Sequence, residues 1–226
     1  MNNYYEERCN GGFMKKGIIF DLDGTLWDST EQILISWNSV LEQHPQYGGA
    51  ITMEKLQGLM GKTMDVIAES IMPTAAEEER KQIFAQCCEE EEKYLLKHGG
   101  VLFPKLEETL KKLKEDYNLY IVSNCQSGYI ETFLEHHKLS TYFEDIECFG
   151  NTGLGKAENE KILAKRNQLD QVVYIGDTQG DFDATQKAGF PFVHAAYGFG
   201  QLEKEVPSVS SFEQIPEVVK QVFEKN

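Results

Sequence analysis

The chain has 226 residues, 41% of them hydrophobic, and a formal net charge of -15. That is enough apolar material for a proper core, in one large domain or a domain carrying a sizeable insertion. No apolar run approaches the roughly 18–20 residues of a membrane span, and the acidic balance disfavours nonspecific attraction to nucleic acid or anionic membranes. A soluble monomer or homodimer is expected, with neither nucleic acid nor membrane as partner.

The first segment, residues 1–13, contains Glu6, Glu7 and Arg8 and lacks the apolar stretch of a secretory signal, so it reads as an N-terminal extension. The five cysteines, Cys9, Cys87, Cys88, Cys125 and Cys148, are odd in number and form no CxxC pair. With no disulfide framework, a reducing cytoplasm is the natural compartment. Cys125 reads as a small buried side chain.

The first regular element is the apolar run Ile18-Ile19-Phe20, which breaks at Asp21-Leu22-Asp23 and then at Gly24-Thr25. Its length and composition predict a buried strand ending in two carboxylates. Two such groups at the end of an apolar strand repel one another unless a cation or hydrogen-bond donors compensate them. Hard oxygen ligands on an abrupt turn suit Mg2+, which is commonly shared with a substrate phosphate. Gly24 would let the backbone turn sharply and leave amides free to face an anion. Asp21 could attack phosphorus and Asp23 could move a proton. Taken alone, Asp-Gly is equally a hairpin turn beside a solvated aspartate.

Ser29 or Thr30 then caps a helix carrying Ile33, Leu34, Trp37, Val40 and Leu41, closed by Pro45 and Gly48-Gly49. Thr52 opens a short helix through Leu56 and Leu59, and Gly61-Lys62-Thr63 interrupts before a helical face of Met64, Ile67, Ala68 and Ile71. Thr74 and Glu77 have capping-box spacing for a helix running to Lys97. Its Glu89–Glu92 run reads as a solvated face. No strand-like alternation appears across this stretch, so residues 29–98 form a helical insertion.

From Val101 a helix-then-strand rhythm begins. Pro104 starts a helix through Leu106, Leu110 and Leu113, followed by a strand over Leu119–Val122, a helix around Ile130 and Phe133, and a strand near Phe143 to Phe149. A helix through Ile162 and Leu163 leads to the strand Val172–Ile175, which stops at Gly176-Asp177. Then come a helix from Asp181 to Ala188, a strand through Phe192, Val193 and Ala195, and a last helix over Phe212–Phe223. Alternating units with continuous apolar strands predict an α/β fold, a Rossmann-like parallel sheet core with an inserted α-helical cap domain. Ligands bind beyond the carboxyl ends of such strands, which gathers Asp21, Ser123 and Asp177 at one edge.

Four pieces therefore stand in order: Asp21-x-Asp23-Gly24-Thr25, Ser123-Asn124, Lys156 at a loop-to-helix junction, and Asp177-x-x-x-Asp181. The ordered set resembles the haloacid dehalogenase superfamily of phosphotransferases. The resemblance implies a core of residues 14–28 and 99–226 with a cap over 29–98. It implies phosphorylation of Asp21, with Asp23 protonating the leaving group and then activating water. Ser123, Asn124, Thr25 and Lys156 would hold the phosphoryl group, with Ser123 and Lys156 also catalytic. Mg2+ would be bound by Asp21, Asp177 and Asp23, the last through its carbonyl, with Asp181 orienting from behind. Ala157 stands where many relatives carry Pro. The alternative of a P-loop over Gly150–Lys156 lacks the Ser or Thr that would hold Mg2+, because Ala157 stands there too.

Within the superfamily, an acid at position 23 favours phosphate esters over carbon-halogen or carbon-phosphorus bonds. The helical insertion resembles the cap of the phosphoglycolate phosphatase and β-phosphoglucomutase branch, which closes over small soluble substrates. Lys62, between cap helices, either meets a substrate anion or is a surface lysine. The expected activity is a Mg2+-dependent phosphatase on a small phosphorylated metabolite. A phosphomutase remains the first alternative, and a non-catalytic phosphometabolite-binding regulator the second.

Overall fold

The computed structural model describes residues 14–225, so the expected extension and Cys9 lie outside the described residues. Strand β1 (Lys16–Phe20) is followed by a tight turn and the two-residue strand β2 (Trp27–Asp28). Helices α1 (Thr30–Leu41), α2 (Met53–Gln57), α3 (Met64–Ile71) and α4 (Glu77–His98) come next. Strand β3 (Val101–Leu102) pairs antiparallel with β2, so entry to and exit from the helical segment share one short ribbon. Its two-residue strands are too short to show a period in the sequence.

The remainder alternates as expected: α5 (Leu106–Leu113), β4 (Asn118–Ser123), α6 (Tyr129–His137), β5 (Phe143–Cys148) and a single turn, α7 (Phe149–Thr152). Then follow α8 (Lys156–Arg166), β6 (Gln171–Gly176), α9 (Gln179–Ala188), β7 (Phe192–Ala195), the short β8 (Ser208–Val209) and α10 (Ile215–Lys225). Residues Phe212–Gln214, expected in the last helix, form a 3-10 turn before it.

The six-stranded sheet has the order β5-β4-β1-β6-β7-β8, and its pairings are parallel. Continuous apolar strands need cover on both faces. Ile18, Phe20, Ile121 and Ile175 face a cluster with Leu110 of α5 and Val219 of α10. Ile19, Tyr120 and Tyr174 turn the other way, towards Leu163 of α8 and Phe182 of α9. β1 sits between β4 and β6 with Phe20 level with both Ile121 and Ile175. The residues that follow these three strands are therefore neighbours.

In the helical segment α1 packs along α4, and α4 rests on α6 of the sheet layer. Two cap expectations change. Ser29 holds the N-cap position of α1 without capping it, and Asp28 Oδ1 instead accepts from the Thr30 amide at 3.0 Å. α4 begins at Glu77 with Ala76 as its N-cap and no side-chain cap, so the Thr74–Glu77 spacing makes no capping box. Three glutamates in its first turn supply favourable charge against the helix dipole instead. Glu91, expected on a solvated face, is only 2% exposed. No helix is long and apolar enough to cross a membrane among the described residues.

Candidate active site

The site is built where β1, β4 and β6 end. Asp21 directly follows β1, and its amide donates to the Ile175 carbonyl of β6 at 2.8 Å, which fixes the turn to the sheet. Its side chain is 2% exposed. Lys156, first residue of α8, enters from the side and is itself buried. Its Nζ donates to Asp21 Oδ1 at 2.7 Å and also to Asp181 Oδ1.

Asp177 follows β6, and its Oδ2 accepts from the Phe199 amide at 2.7 Å. Asp181 lies in the first turn of α9, where its Oδ2 accepts from the Thr178 amide at 2.9 Å in a capping box. Carboxylate oxygens of Asp21, Asp177 and Asp181 all lie within 4.8 Å of one another.

Three buried carboxylates face a single buried ammonium. Burial, then the charge of Asp181, pushes the Asp21 carboxyl well above its ordinary range even against the opposing pull of Lys156. Burial and Asp181 likewise push Asp177 up to about 7. For Lys156, burial pulls the other way, but Asp181 and Asp21 outweigh it and hold the ammonium charged. An uncompensated buried carboxylate is costly, and a hard divalent cation is the natural complement of this oxygen-only set. The residues present fit Mg2+. Asp181 has both oxygens engaged by Lys156 and Thr178, whereas Lys156 takes only Oδ1 of Asp21 and Asp177 Oδ1 has only the long contact from Thr25, so Asp21 and Asp177 are the carboxylates with an oxygen to offer an ion.

Asp23 stands apart from that trio. Its Oδ1 accepts from Ser29 Oγ at 2.6 Å, Tyr129 OH at 2.8 Å and Trp27 Nε1 at 2.9 Å. Three donors on one oxygen fix the carboxyl's orientation, and the group lines the same cavity as Asp21. Burial raises its pKa, and the bonds from Ser29, Tyr129 and Trp27 oppose that rise.

Ser123 ends β4 and is buried at the cavity wall, with Oγ accepting from the Cys125 amide at 3.3 Å. Asn124 lines the cavity as well, and its Nδ2 reaches across to the Gly61 carbonyl of the helical segment at 2.9 Å. Lys62 borders the cavity but is exposed, and it also lines an outer groove beside α2. Thr25, expected on substrate, is fully buried behind the carboxylates, with its hydroxyl directed at Asp177 Oδ1 at 3.4 Å. Cys125 is buried and unpaired in a disulfide, and Asp183 is exposed.

The glycine of the first motif makes the sharp turn expected of it but does not offer the free amide. Its amide is not free for an anion, because it donates to the Trp27 carbonyl at 2.9 Å. Gly24 instead has φ +81, and a Cβ there would sit 2.3 Å from Asp177 Oδ2 and 2.8 Å from Phe199 Cδ2. A side chain at this place would displace the Asp177 carboxylate. Gly24→Ala is expected to destabilise the fold by about 1–3 kcal/mol through left-handed strain and this overlap. Urea unfolding would measure it, and an unchanged midpoint would rule it out.

Sequence reasoning missed the donors Ser29, Trp27 and Tyr129 on Asp23, together with the cavity residues Trp37, Glu91 and Gln126. Tyr129 and Gln126 come from the loop after β4 and the start of α6, contacts with no local signature. Glu91 did have one, since it continues the buried stripe of Phe84, Cys87 and Leu95 at helical spacing.

A family model described as haloacid dehalogenase-like hydrolase matches residues 18–195. The chain is 26% identical over 194 residues to a phosphoglycolate phosphatase of Yersinia pestis, covering 81% of this chain and 82% of that one. It is also 26% identical over 201 residues to a phosphoglycolate phosphatase of Aquifex aeolicus, covering 84% and 89%. Among solved structures, a haloacid dehalogenase-like hydrolase from Bacteroides fragilis superposes with a TM-score of 0.78 at 24% identity, covering 89% of this chain and 99% of that one. A beta-phosphoglucomutase from Clostridium difficile superposes with a TM-score of 0.77 at 19% identity, covering 94% and 98%. Both structural likenesses concern the fold.

Proposed function

Because the chain belongs to the haloacid dehalogenase-like hydrolase family, we propose that it is a Mg2+-dependent phosphatase that hydrolyses a small phosphate monoester through a phosphorylated Asp21. The observation that carries this reading is the buried Lys156 bridging Asp21 and Asp181, with Asp177 beside them and Asp23 opening on the same cavity.

Asp21 is the nucleophile. Lys156 holds one of its oxygens and leaves the other, Oδ2, to attack phosphorus as the ester oxygen departs. Asp23, fixed through Oδ1, gives its proton at Oδ2 to that departing oxygen. It then takes a proton from the water that attacks phosphorus and releases phosphate from Asp21. Its raised pKa favours the protonated form needed for the first half of this cycle. The Ser123 hydroxyl and the Lys156 ammonium supply donors for the phosphoryl oxygens as charge builds on them.

Asp21 and Asp177, with the main-chain carbonyl of Asp23, would hold the Mg2+, and Asp181 positions Lys156 from behind. The ion supplies charge neutralisation for the phosphate oxygens. Thr25 steadies Asp177. Removal of divalent ions with EDTA is expected to lower turnover of p-nitrophenyl phosphate at least 100-fold, with recovery on adding Mg2+. Turnover that survives EDTA would argue against the metal.

Residues 29–98 act as a cap in this reading. The cavity beneath them measures about 40 Å³, room for only a few heavy atoms. The Asn124–Gly61 hydrogen bond and the β2–β3 ribbon are the contacts about which the cap would open and close over a substrate. Phosphoglycolate is a candidate substrate, a reading supported by the names of the phosphoglycolate phosphatases that the chain resembles. A cytoplasmic location accords with the free cysteines among the described residues.

A further inference from the structure

One wall of the cavity has no part in the chemistry assigned so far. Glu91 of α4 and Gln126 of the loop after β4 belong to it, in the same cavity that Asp21 and Asp23 line. Glu91 is nearly inaccessible to bulk solvent, yet among the described residues its carboxylate has no cation paired with it. Oε2 accepts from Trp37 Nε1 at 3.0 Å and from Gln126 Nε2 at 2.9 Å. Oε1 has no hydrogen bond from the described residues, and Glu91 lines the cavity.

A carboxyl held by two neutral donors, lining the same cavity as the nucleophile but carried on α4, is placed to meet the part of the ester that leaves. The charges around it narrow what that part can be. Asp21, Asp23 and Glu91 make the cavity acidic, and no arginine lines it among the described residues. Lys156 is already shared by two carboxylates, and Lys62 stands at the exposed rim. A second anion on the substrate would leave water with only the solvated ammonium of Lys62 to compensate it. A hydroxyl or ammonium would instead fill the free acceptor Oε1, with Gln126 as a further polar neighbour.

We propose that Glu91 is the specificity-determining residue of this site, and that it selects phosphate esters whose leaving group carries a hydroxyl or ammonium donor over those carrying a carboxylate or second phosphate. The inference rests on the phosphatase reading and sharpens its substrate class. Burial pushes the Glu91 carboxyl up to about 8, opposed by the Trp37 bond and reinforced by the charge of Asp23. The protonated form therefore prevails near neutral pH, so a hydroxyl can be met as donor or acceptor, while an ammonium draws the group into its ionised form.

The test is a matched series of two-carbon esters that differ only at the far end: 2-hydroxyethyl phosphate, phosphoethanolamine and 2-phosphoglycolate, with p-nitrophenyl phosphate as reference, all with Mg2+. The wild-type protein is expected to show kcat/KM at least tenfold higher for the first two than for 2-phosphoglycolate. Glu91→Gln, which keeps an acceptor for Trp37, is expected to lower kcat/KM for phosphoethanolamine at least tenfold while 2-phosphoglycolate is unchanged or improved. A wild-type preference for 2-phosphoglycolate, which would make Lys62 the selector, overturns the inference even if the variant fails to fold. An equal loss on all three esters in Glu91→Gln overturns it too, as a merely structural role. Inertness of every ester including p-nitrophenyl phosphate overturns the phosphatase reading and this inference together, whereas turnover of the aryl ester with the wrong ranking overturns this inference alone.

Discussion

Asp21→Asn is expected to lower phosphate-ester turnover by three orders of magnitude or more, roughly the scale seen when a covalent nucleophile is removed, while leaving the fold intact. The amide keeps the carboxylate's shape, but its uncharged oxygen is far too weak a nucleophile to displace the ester oxygen. The stability side follows from the same geometry. Asn at this position removes a buried charge whose ionisation is disfavoured by burial and by Asp181. Lys156 loses one partner but retains Asp181. These effects oppose each other, so the thermal midpoint should move by only a few degrees. Initial rates with p-nitrophenyl phosphate and Mg2+, read beside a thermal melt, separate the two. A folded variant with turnover within tenfold of wild type would remove Asp21 from the nucleophile role.

The parts of the site that are legible in the sequence are those attached to a continuous apolar strand. Ile18–Phe20, Leu119–Val122 and Val172–Ile175 are long enough to identify as buried strands, and the residue after each inherits a place at the sheet edge. The cap-side wall follows no such rule. Asn124 meets Gly61, and Gln126 meets Glu91, across chain separations of 63 and 35 residues, and no local pattern encodes such meetings. Glu91 was hidden by its company, because four glutamates in a row read as solvent-facing even though only one lies on the buried stripe of α4. Gly24 was identified correctly as a requirement, but the requirement is the nearness of Asp177 and Phe199 rather than a free amide. Thr25 and Ser29 are further cases. A short polar residue beside the motif suggests a ligand contact for Thr25 and a helix cap for Ser29, and here their hydroxyls go to Asp177 and Asp23.

Lys156→Met is expected to destabilise the protein by about 3–5 kcal/mol near neutral pH, the usual penalty for stranding the partners of a buried ion pair. For a chain of this length that lowers the thermal midpoint by about 10 °C. Without the ammonium, Asp21 and Asp181 face each other and Asp177 across a few ångströms of buried space. The pH dependence distinguishes this from loss of packing. In the wild-type protein Lys156 has a raised pKa, so its contribution is fully present below the ordinary lysine pKa and is lost only in strong base. In the variant the Asp21 carboxyl, already raised by burial and Asp181, loses the cation that opposed the rise. A carboxyl whose folded pKa exceeds its unfolded value near 3.8 favours the folded state below that value, and this advantage is lost as pH rises through the folded pKa. The gap between the two melting curves should therefore be small near pH 4 and widen towards pH 8. A gap that stays constant over that range would assign the loss to packing of the lysine stem, and the charge balance proposed for the site would then have to be abandoned.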